Sequence, residues 1–474
     1  MLKCNSSAIE NKNEFSKEVF DMDKTVKKPS MRVQDMTVGN PLKLILTFAI
    51  PIFIGNIFQQ VYSIIDTMVV GYTLGDTAIS AIGASASLYS LLINVAIGMN
   101  SGFSIITTQS FGAHDEKRLR HSIDGTIILN TVITAIVMVL SLVFLRSLMV
   151  FMNTPESIFE EAYRYIFIIC AGMLSTVAFN KCSGILQAVG NSRTPLFFLM
   201  IACIINIVLD VLLVAIFPFG VAGASLATVI AQTISAVLCG TYILRNYRSI
   251  LPHREDFHVP KNILKTLFSS GLAMALMYCV VDLGSVIFQR ANNALGEVYI
   301  TAHTAARRLI MITSQPGGTV STATATFIGQ NWGAGKKQRI RDAFRKVITL
   351  EILWGFFVFF VIFLIGEFLV TFTTGTSDPI IIQNAVLSLR LHVLFFPALG
   401  SLVCLRSGMQ AMGYKTAPVI SSCLELAMKI FSAAFLVPTF GFLGTCVTEP
   451  VTWVIMVIYL AIAYLMFKKK VFAK

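Results

Sequence analysis

The chain has 474 residues, of which 55% are hydrophobic and 13% charged, with a mean hydropathy of +0.75. Soluble domains carry about a quarter charged residues, so a soluble enzyme, a nucleic-acid binder or a disulfide scaffold is excluded as a reading of the whole chain. The net charge of +12 does not point to nucleic acid, because Lys and Arg gather in the tails and in every second connector, the pattern that orients spans in a membrane.

In chain order, residues 1–40 form a polar tail without the apolar stretch of a cleavable signal, and are expected to stay in the cytoplasm. From Leu42 onward, apolar runs of about 20 residues or more predict twelve membrane-spanning helices. They fall at 44–73, 77–105, 122–151, 160–187, 194–217, 221–246, 263–294, 299–328, 344–373, 380–411, 415–438 and 442–467. One set of connectors is basic: Lys117-Arg118-Leu119-Arg120, Arg193, Arg245 to Lys265, Lys336 to Lys346, and Lys415. The other set, such as Leu74-Gly75-Asp76 and Pro438 to Gly441, is short and nearly free of cations. This alternation puts both termini in the cytoplasm, which requires an even number of spans.

The chain repeats itself. Thr108-Gln109-Ser110-Phe111-Gly112-Ala113 recurs as Gly329-Gln330-Asn331-Trp332-Gly333-Ala334, Gln187-Ala188-Val189-Gly190 as Gln410-Ala411-Met412-Gly413, and Gly220-Val221-Ala222-Gly223-Ala224 as Gly441-Phe442-Leu443-Gly444-Thr445. The offsets agree to within two residues, at 221 to 223. The expected fold is therefore an all-α membrane protein of two six-helix lobes related by a pseudo-two-fold axis along the membrane normal. The N-lobe would cover 41–246, a cytoplasmic loop 247–262, the C-lobe 263–467, and a basic tail 468–474. Secondary transporters are built this way, with the site near the midplane. The bland alternative is duplication in a channel or a membrane enzyme.

Ionisable groups in hydrocarbon are costly, about 2.5–3.5 kcal/mol at a helix centre on insertion scales, and default to functional hypotheses. In helix 1, Gln59, Tyr62 and Asp66 share one helical face; in helix 5, Asn206 stands one turn before Asp210. If these helices meet, their carboxyls, amides and phenol can bind a small cation such as Na⁺ through Asp66, Asn206 and Asp210, or hold a proton. The alternative is that each acid is satisfied locally in helix packing. The second half is no copy here. It carries Asp282 in helix 7, without a cation nearby in sequence, and Glu425 with Lys429 one turn later in helix 11, the favourable order for an ion pair. That pair is either structural or opened by a charged substrate. Glu449 in helix 12 is a weaker candidate. Lys181 and Arg406 are expected to snorkel at helix ends. Arg390 and His392 fall in the outer part of helix 10, Arg307 and Arg308 in helix 8. His114, His121, His253 and His258 are assigned to loops, and no HExxH spacing exists, which argues against a metalloenzyme. The nine cysteines contain no CxxC pair, and all but Cys4 lie in or at the ends of apolar runs and read as small core residues. No phosphate-cradling Gly-rich motif of an ATPase is present, and neither catalysis nor a cofactor is implied.

These features resemble the multidrug and toxic compound extrusion (MATE) family over residues 40 to 465. The resemblance is carried by Pro51, Gln59, Tyr62 and Asp66-Thr67; by Gln187-Ala188-Val189-Gly190-Asn191-Ser192-Arg193; by Asn206-Ile207-Val208-Leu209-Asp210; by Gly220 to Ala224 with Ala227-Thr228; and by Gly329 to Gly335. It implies a two-lobe fold, alternating access, and export of small amphipathic, cationic compounds driven by inward H⁺ or Na⁺, in a bacterial plasma membrane and as a monomer. Within the family the DinF-like branch is most similar. There the residues matching Gln59, Tyr62, Asp66, Asn206, Asp210 and Thr228 line an N-lobe cavity, the proline matching Pro51 marks where helix 1 bends, and Asn180 matches a further cavity asparagine. Asp282, Glu425 and Lys429 stand as substrate-pocket candidates from the residues alone. Helix 7 departs from the family with Gly271-Leu272-Ala273, and helix 10 has no acid, which disfavours a C-lobe Na⁺ site. A flippase for lipid or lipid-linked oligosaccharide is the nearest rival, disfavoured by the acidic N-lobe. A non-transporting membrane sensor or scaffold is the rival from another class.

Overall fold

A computed structural model of the protein describes residues 34–152, 154–217, 219–251, 259–376 and 378–472. Most of the N-terminal tail, His253 and His258 in the inter-lobe loop, and the last two residues of the basic tail lie outside the described residues. All regular structure in the described residues is helical. A chain this apolar must satisfy its backbone within each segment, since lipid offers no hydrogen bonds.

The helices are α1 (Pro41–Leu74), α2 (Asp76–Gly112), α3 (Glu116–Phe151), α4a (Glu156–Ala171), α4b (Met173–Ala188), α5 (Arg193–Asp210), α6 (Val221–Asn246) and α7 (Lys261–Asn293). They continue with α8 (Glu297–Gly333), α9 (Lys337–Thr374), α10a (Pro379–Leu394), α10b (Phe396–Ala411), α11 (Thr416–Phe431) and α12 (Phe442–Phe472). Nine described helices are long and apolar enough to span, and the bent pairs α4a/α4b and α10a/α10b bring this to eleven. The twelfth, α8, is 37 residues long but too polar to qualify by hydropathy, with His303, Arg307, Arg308 and a series of threonines. Only 17% of the most apolar stretch of α3 and 22% of that of α9 is buried, as suits lipid-facing helices.

Several ends differ from the sequence expectation for local reasons. α3 begins at Glu116, not 122, because Asp115 caps it by accepting the Arg118 amide at 3.0 Å, so the helix extends through its charged first turn. His121 is consequently a buried helical residue, not a loop residue. α2 and α8 run on through Gly112 and Gly333, so the repeated Gln-containing motif closes each helix. Helix 4 bends by 45° and helix 10 by 51°. At the first bend, a Cβ on Gly172 would lie 2.3 Å from Val229 Cγ2 of α6, so only glycine admits this approach. The second bend carries Pro397, which lacks the N–H a straight helix would use.

The two halves repeat in these details. A π-helical turn, Val211–Ile216, follows α5, and another, Ser432–Leu436, follows α11 and leads to the short helix Val437–Phe440. Gly220 and Gly441 precede α6 and α12 with φ of 62° and 57°, and His114 takes φ 53° where the second half has Gly335 at 69°. The chain divides into two compact units. One is mainly Ile50–Ala275; the other is Gly39–Ala49 with Leu276 to the end of the described chain. Both α1 and α7 thus change allegiance along their length, α1 immediately before Pro51.

Two family-like motifs prove architectural. Asn191, fully buried, accepts the Thr194 amide and donates to Thr194 Oγ1 at 2.8 Å and the Tyr247 hydroxyl at 3.0 Å, pinning the start of α5. Asn331 accepts from Arg339 Nε at 2.8 Å, and Arg339 also donates to the Gly39 carbonyl.

Candidate functional site

The first unit places the acids of α1 and α5 together. Asn206 and Asp210 are one turn apart on α5 and almost completely buried, at 2% and 0% exposure. Asp210 is the last residue before the π-helical turn, a device that recurs at functional positions because it turns side chains out of the regular register. Asp66, half-buried on α1, lies near enough to Asp210 for the two carboxyls to interact. Asp66 Oδ1, both Asp210 carboxylate oxygens and Asn206 Oδ1 are buried without a donor among the described residues. Asn206 Nδ2 donates to Thr228 Oγ1 of α6 at 3.5 Å.

A small cleft borders Asn206, and its lining includes Tyr62, Cys203, Thr228 and Gln232. Tyr62 packs against the buried cluster of Phe179, Leu199 and Cys203, which fixes its ring. Two adjacent carboxyls, four oxygens without donors and a small cavity form an acceptor-rich pocket. Such a set is satisfied by one positive charge, either a proton shared between the acids or a small hard cation on their oxygens. Among the described residues no group of three or more His, Cys, Asp and Glu could hold a metal ion.

The remaining expected residues distribute unevenly. Gln59 shares the face of α1 but is exposed. Pro51 is buried within α1, at the boundary between the two units. Asn180 donates to the Thr176 carbonyl of its own helix at 2.9 Å, and its carbonyl accepts from Asn100, itself bonded to Asn130 at 2.9 Å. It therefore belongs to an amide chain across α2, α3 and α4b. Asp282, Glu425 and Lys429 lie in the second unit. Asp282 is half-buried and has an interaction partner, so its sequence isolation does not leave it unpaired. Glu425 and Lys429 form the expected pair at 3.0 Å, and Lys429 also donates to Ser285 of α7 at 3.0 Å. Arg406 does not snorkel: it turns inward to Glu425 at 3.4 Å and to Ser421 at 3.1 Å.

Sequence reasoning missed four groups. Gln232, one turn after Thr228, has a buried Oε1 without a donor and lines the cavity. Tyr165 of α4a lies within electrostatic reach of Asp66, Asp210 and Tyr62. Asp124 of α3 is buried and partnered. Glu351 of α9 is 4% exposed, and its Oε2 would meet a Cβ on Gly317 or Gly400 at 2.7 Å. Gln232 could have been found from its spacing to Thr228; Tyr165 has no local signal.

The sequence profile of the MatE family matches residues 51–212 and 273–437. The chain is 27% identical over 390 residues to the "Probable multidrug resistance protein YpnP" of Bacillus subtilis (strain 168), covering 81% of this chain and 85% of the relative. It is 25% identical over 419 residues to the "Probable multidrug resistance protein NorM" of Thermotoga maritima, covering 85% and 87%. A solved MOP superfamily transporter from Pyrococcus furiosus superposes with a TM-score of 0.83 at 21% identity, covering 92% of this chain and 98% of that one. Likeness of that extent establishes the all-helical, twelve-span, two-lobe fold.

Proposed function

The chain belongs to the MatE family of membrane transporters, and from that premise we propose that it is a cation-coupled antiporter exporting amphipathic, cationic compounds by alternating access. The observation that supports this reading is the juxtaposition of Asp66 and Asp210, whose buried oxygens lack donors in an apolar unit. In the ionised state the pair attracts a cationic substrate or a coupling cation. Entry of H⁺ or Na⁺ neutralises it, weakens its hold on the substrate, and lets α1 bend at Pro51 as the lobes rock. Asn206, Thr228, Tyr62 and Gln59 supply the polar lining of this cycle, and Asp66, Asn206 and Asp210 are the ligands for Na⁺ if that is the ion.

For a neutral substrate a membrane potential contributes about 2.3 kcal/mol per coupling charge per 100 mV, enough for roughly a fiftyfold gradient, whereas exchange of a monovalent cation for one H⁺ or Na⁺ moves no net charge and is driven by the concentration gradient of the coupling ion. The YpnP and NorM relatives, both described as probable multidrug resistance proteins, agree with a broad substrate range. The residue set Gln59, Tyr62, Asp66, Asn206, Asp210 and Thr228 supports placement in the DinF-like branch. The alternation of cation-rich and cation-poor connectors supports both termini being cytoplasmic, and the resemblance to the family supports a monomer in a bacterial plasma membrane.

The test is ethidium flux in proteoliposomes with a pH or a Na⁺ gradient imposed separately. Flux driven by one gradient and abolished in Asp66→Asn is expected, and names the ion. Absence of flux under both gradients with folded protein would overturn the reading in favour of a lipid or anionic substrate.

A further inference from the structure

The second unit holds a histidine–carboxylate pair to which the antiport scheme assigns no role. His392 of α10a is 1% exposed; its Nδ1 lies 2.7 Å from the Ser388 carbonyl, and its Nε2 lies 3.6 Å from Glu449 Oε2 of α12. A carbonyl can only accept, so Nδ1 carries a hydrogen. In a neutral ring Nε2 would then present its lone pair to a carboxylate. At 3.6 Å the contact is longer than a hydrogen bond, and it becomes an attractive ion pair when a further proton sits on Nε2, as imidazolium against carboxylate.

The surroundings suit a proton that comes and goes. His303 of α8 faces the pair electrostatically, and both its ring nitrogens are buried without a partner among the described residues. Thr445 stands one turn before Glu449 with an unpartnered buried hydroxyl, and Asn292 stands one turn after Phe288, whose ring meets that of His303 edge-on at 6.1 Å. Buried polar groups of this kind take ordered water, through which a proton can travel. Arg307, one turn beyond His303 on α8, and Lys429 on α11 both exert a positive field on Glu449. They steady the carboxylate once the proton leaves. The acids of α9 lie elsewhere, Glu351 against Gly317 and Gly400 and Glu367 exposed, and on α10b Arg406 is taken by Glu425. Trp453 closes the remaining side, edge-on to His392 at 5.8 Å.

We propose that His392 and Glu449 form a second proton-binding site, in the C-terminal unit, which carries a proton of its own beside that of the Asp66–Asp210 pair. Its contribution to transport rests on the antiport reading; its occupancy by a proton does not.

The test is ¹⁵N NMR of histidine-labelled full-length protein in lipid nanodiscs. His392→Asn, whose amide still donates to the Ser388 carbonyl, identifies the His392 signals; His392→Gln serves if that variant fails to fold. A His392 ring protonated on both nitrogens at neutral pH, converting in Glu449→Gln to a neutral ring protonated on Nδ1, is expected. A neutral ring with bare Nε2 in the wild type, or signals unmoved by Glu449→Gln, would overturn the site. In proteoliposomes Glu449→Gln is expected to lower the proton-to-substrate ratio by one, and an unchanged ratio would overturn its part in transport. Wild-type protein without gradient-driven flux would sink the antiport reading while leaving the spectroscopic result to decide the site.

Discussion

Two buried charge clusters, one in each unit, are built in opposite ways. In the first, Asp66 and Asp210 face one another with four donor-free acceptor oxygens around them and no cation within ion-pair distance among the described residues. In the second, Glu425 bridges Arg406 and Lys429 at 3.4 and 3.0 Å, with all three side chains at least 84% buried. A network that supplies its own counter-charges holds helices in place but offers little to a mobile ion. A pair of acids without a counter-charge is unfavourable alone and is completed by whatever cation arrives. In this chain the two repeated halves differ in whether the counter-charge of these acids is built in or borrowed.

This contrast can be broken most directly at Asp210. Asp210→Asn is expected to reduce gradient-driven ethidium flux to the level of empty liposomes while leaving thermal stability unchanged or raised, because it removes a buried like-charge contact. Glu425→Gln should do the reverse. It strands two buried cations and is expected to lower stability by about 3–5 kcal/mol, seen as an earlier thermal unfolding midpoint. Equal destabilisation by the two variants would erase the distinction. Glu351 sharpens it, as an acid of the second unit without an ion pair among the described residues. Gly400→Ala drives a methyl against its Oε2 and should cost about 1–3 kcal/mol by overpacking, with flux following folded protein. The smallest effect is expected at Gln59, which is exposed: Gln59→Ala should shift stability by no more than about 0.5 kcal/mol, so a drop in flux there would report on transport and not on folding.

Much of this was legible along the chain. Asn206 and Asp210 stood out because polar residues one turn apart in an apolar run have few structural excuses, and Glu425–Lys429 because the order and spacing of an intrahelical ion pair are local properties. The twelve helices followed from apolar length, α8 included, although hydropathy alone does not admit it. Other features carried no local sign. Arg406 sits where a snorkelling arginine would, and only the position of α11 turns it toward Glu425. The bend at Gly172 depends on Val229 approaching from α6, and the π-helical turns after Asp210 and Phe431 leave no periodicity in six residues or fewer. His392 and Glu449 are 57 residues apart, each unremarkable in its own helix, and meet only because α10a packs on α12.

Helix number, duplication and the positions of Asp66, Asp210, Glu425 and Lys429 were legible in composition and spacing, since insertion into lipid and the α-helical repeat act over one segment at a time, while the buried Asp124 and Glu351 were not. Which charges are satisfied and which left open was settled only by packing. The Coulomb and hydrogen-bond terms that distinguish Asp210 from Glu425 act over a few ångströms between helices far apart in sequence, and no local pattern encodes that distance.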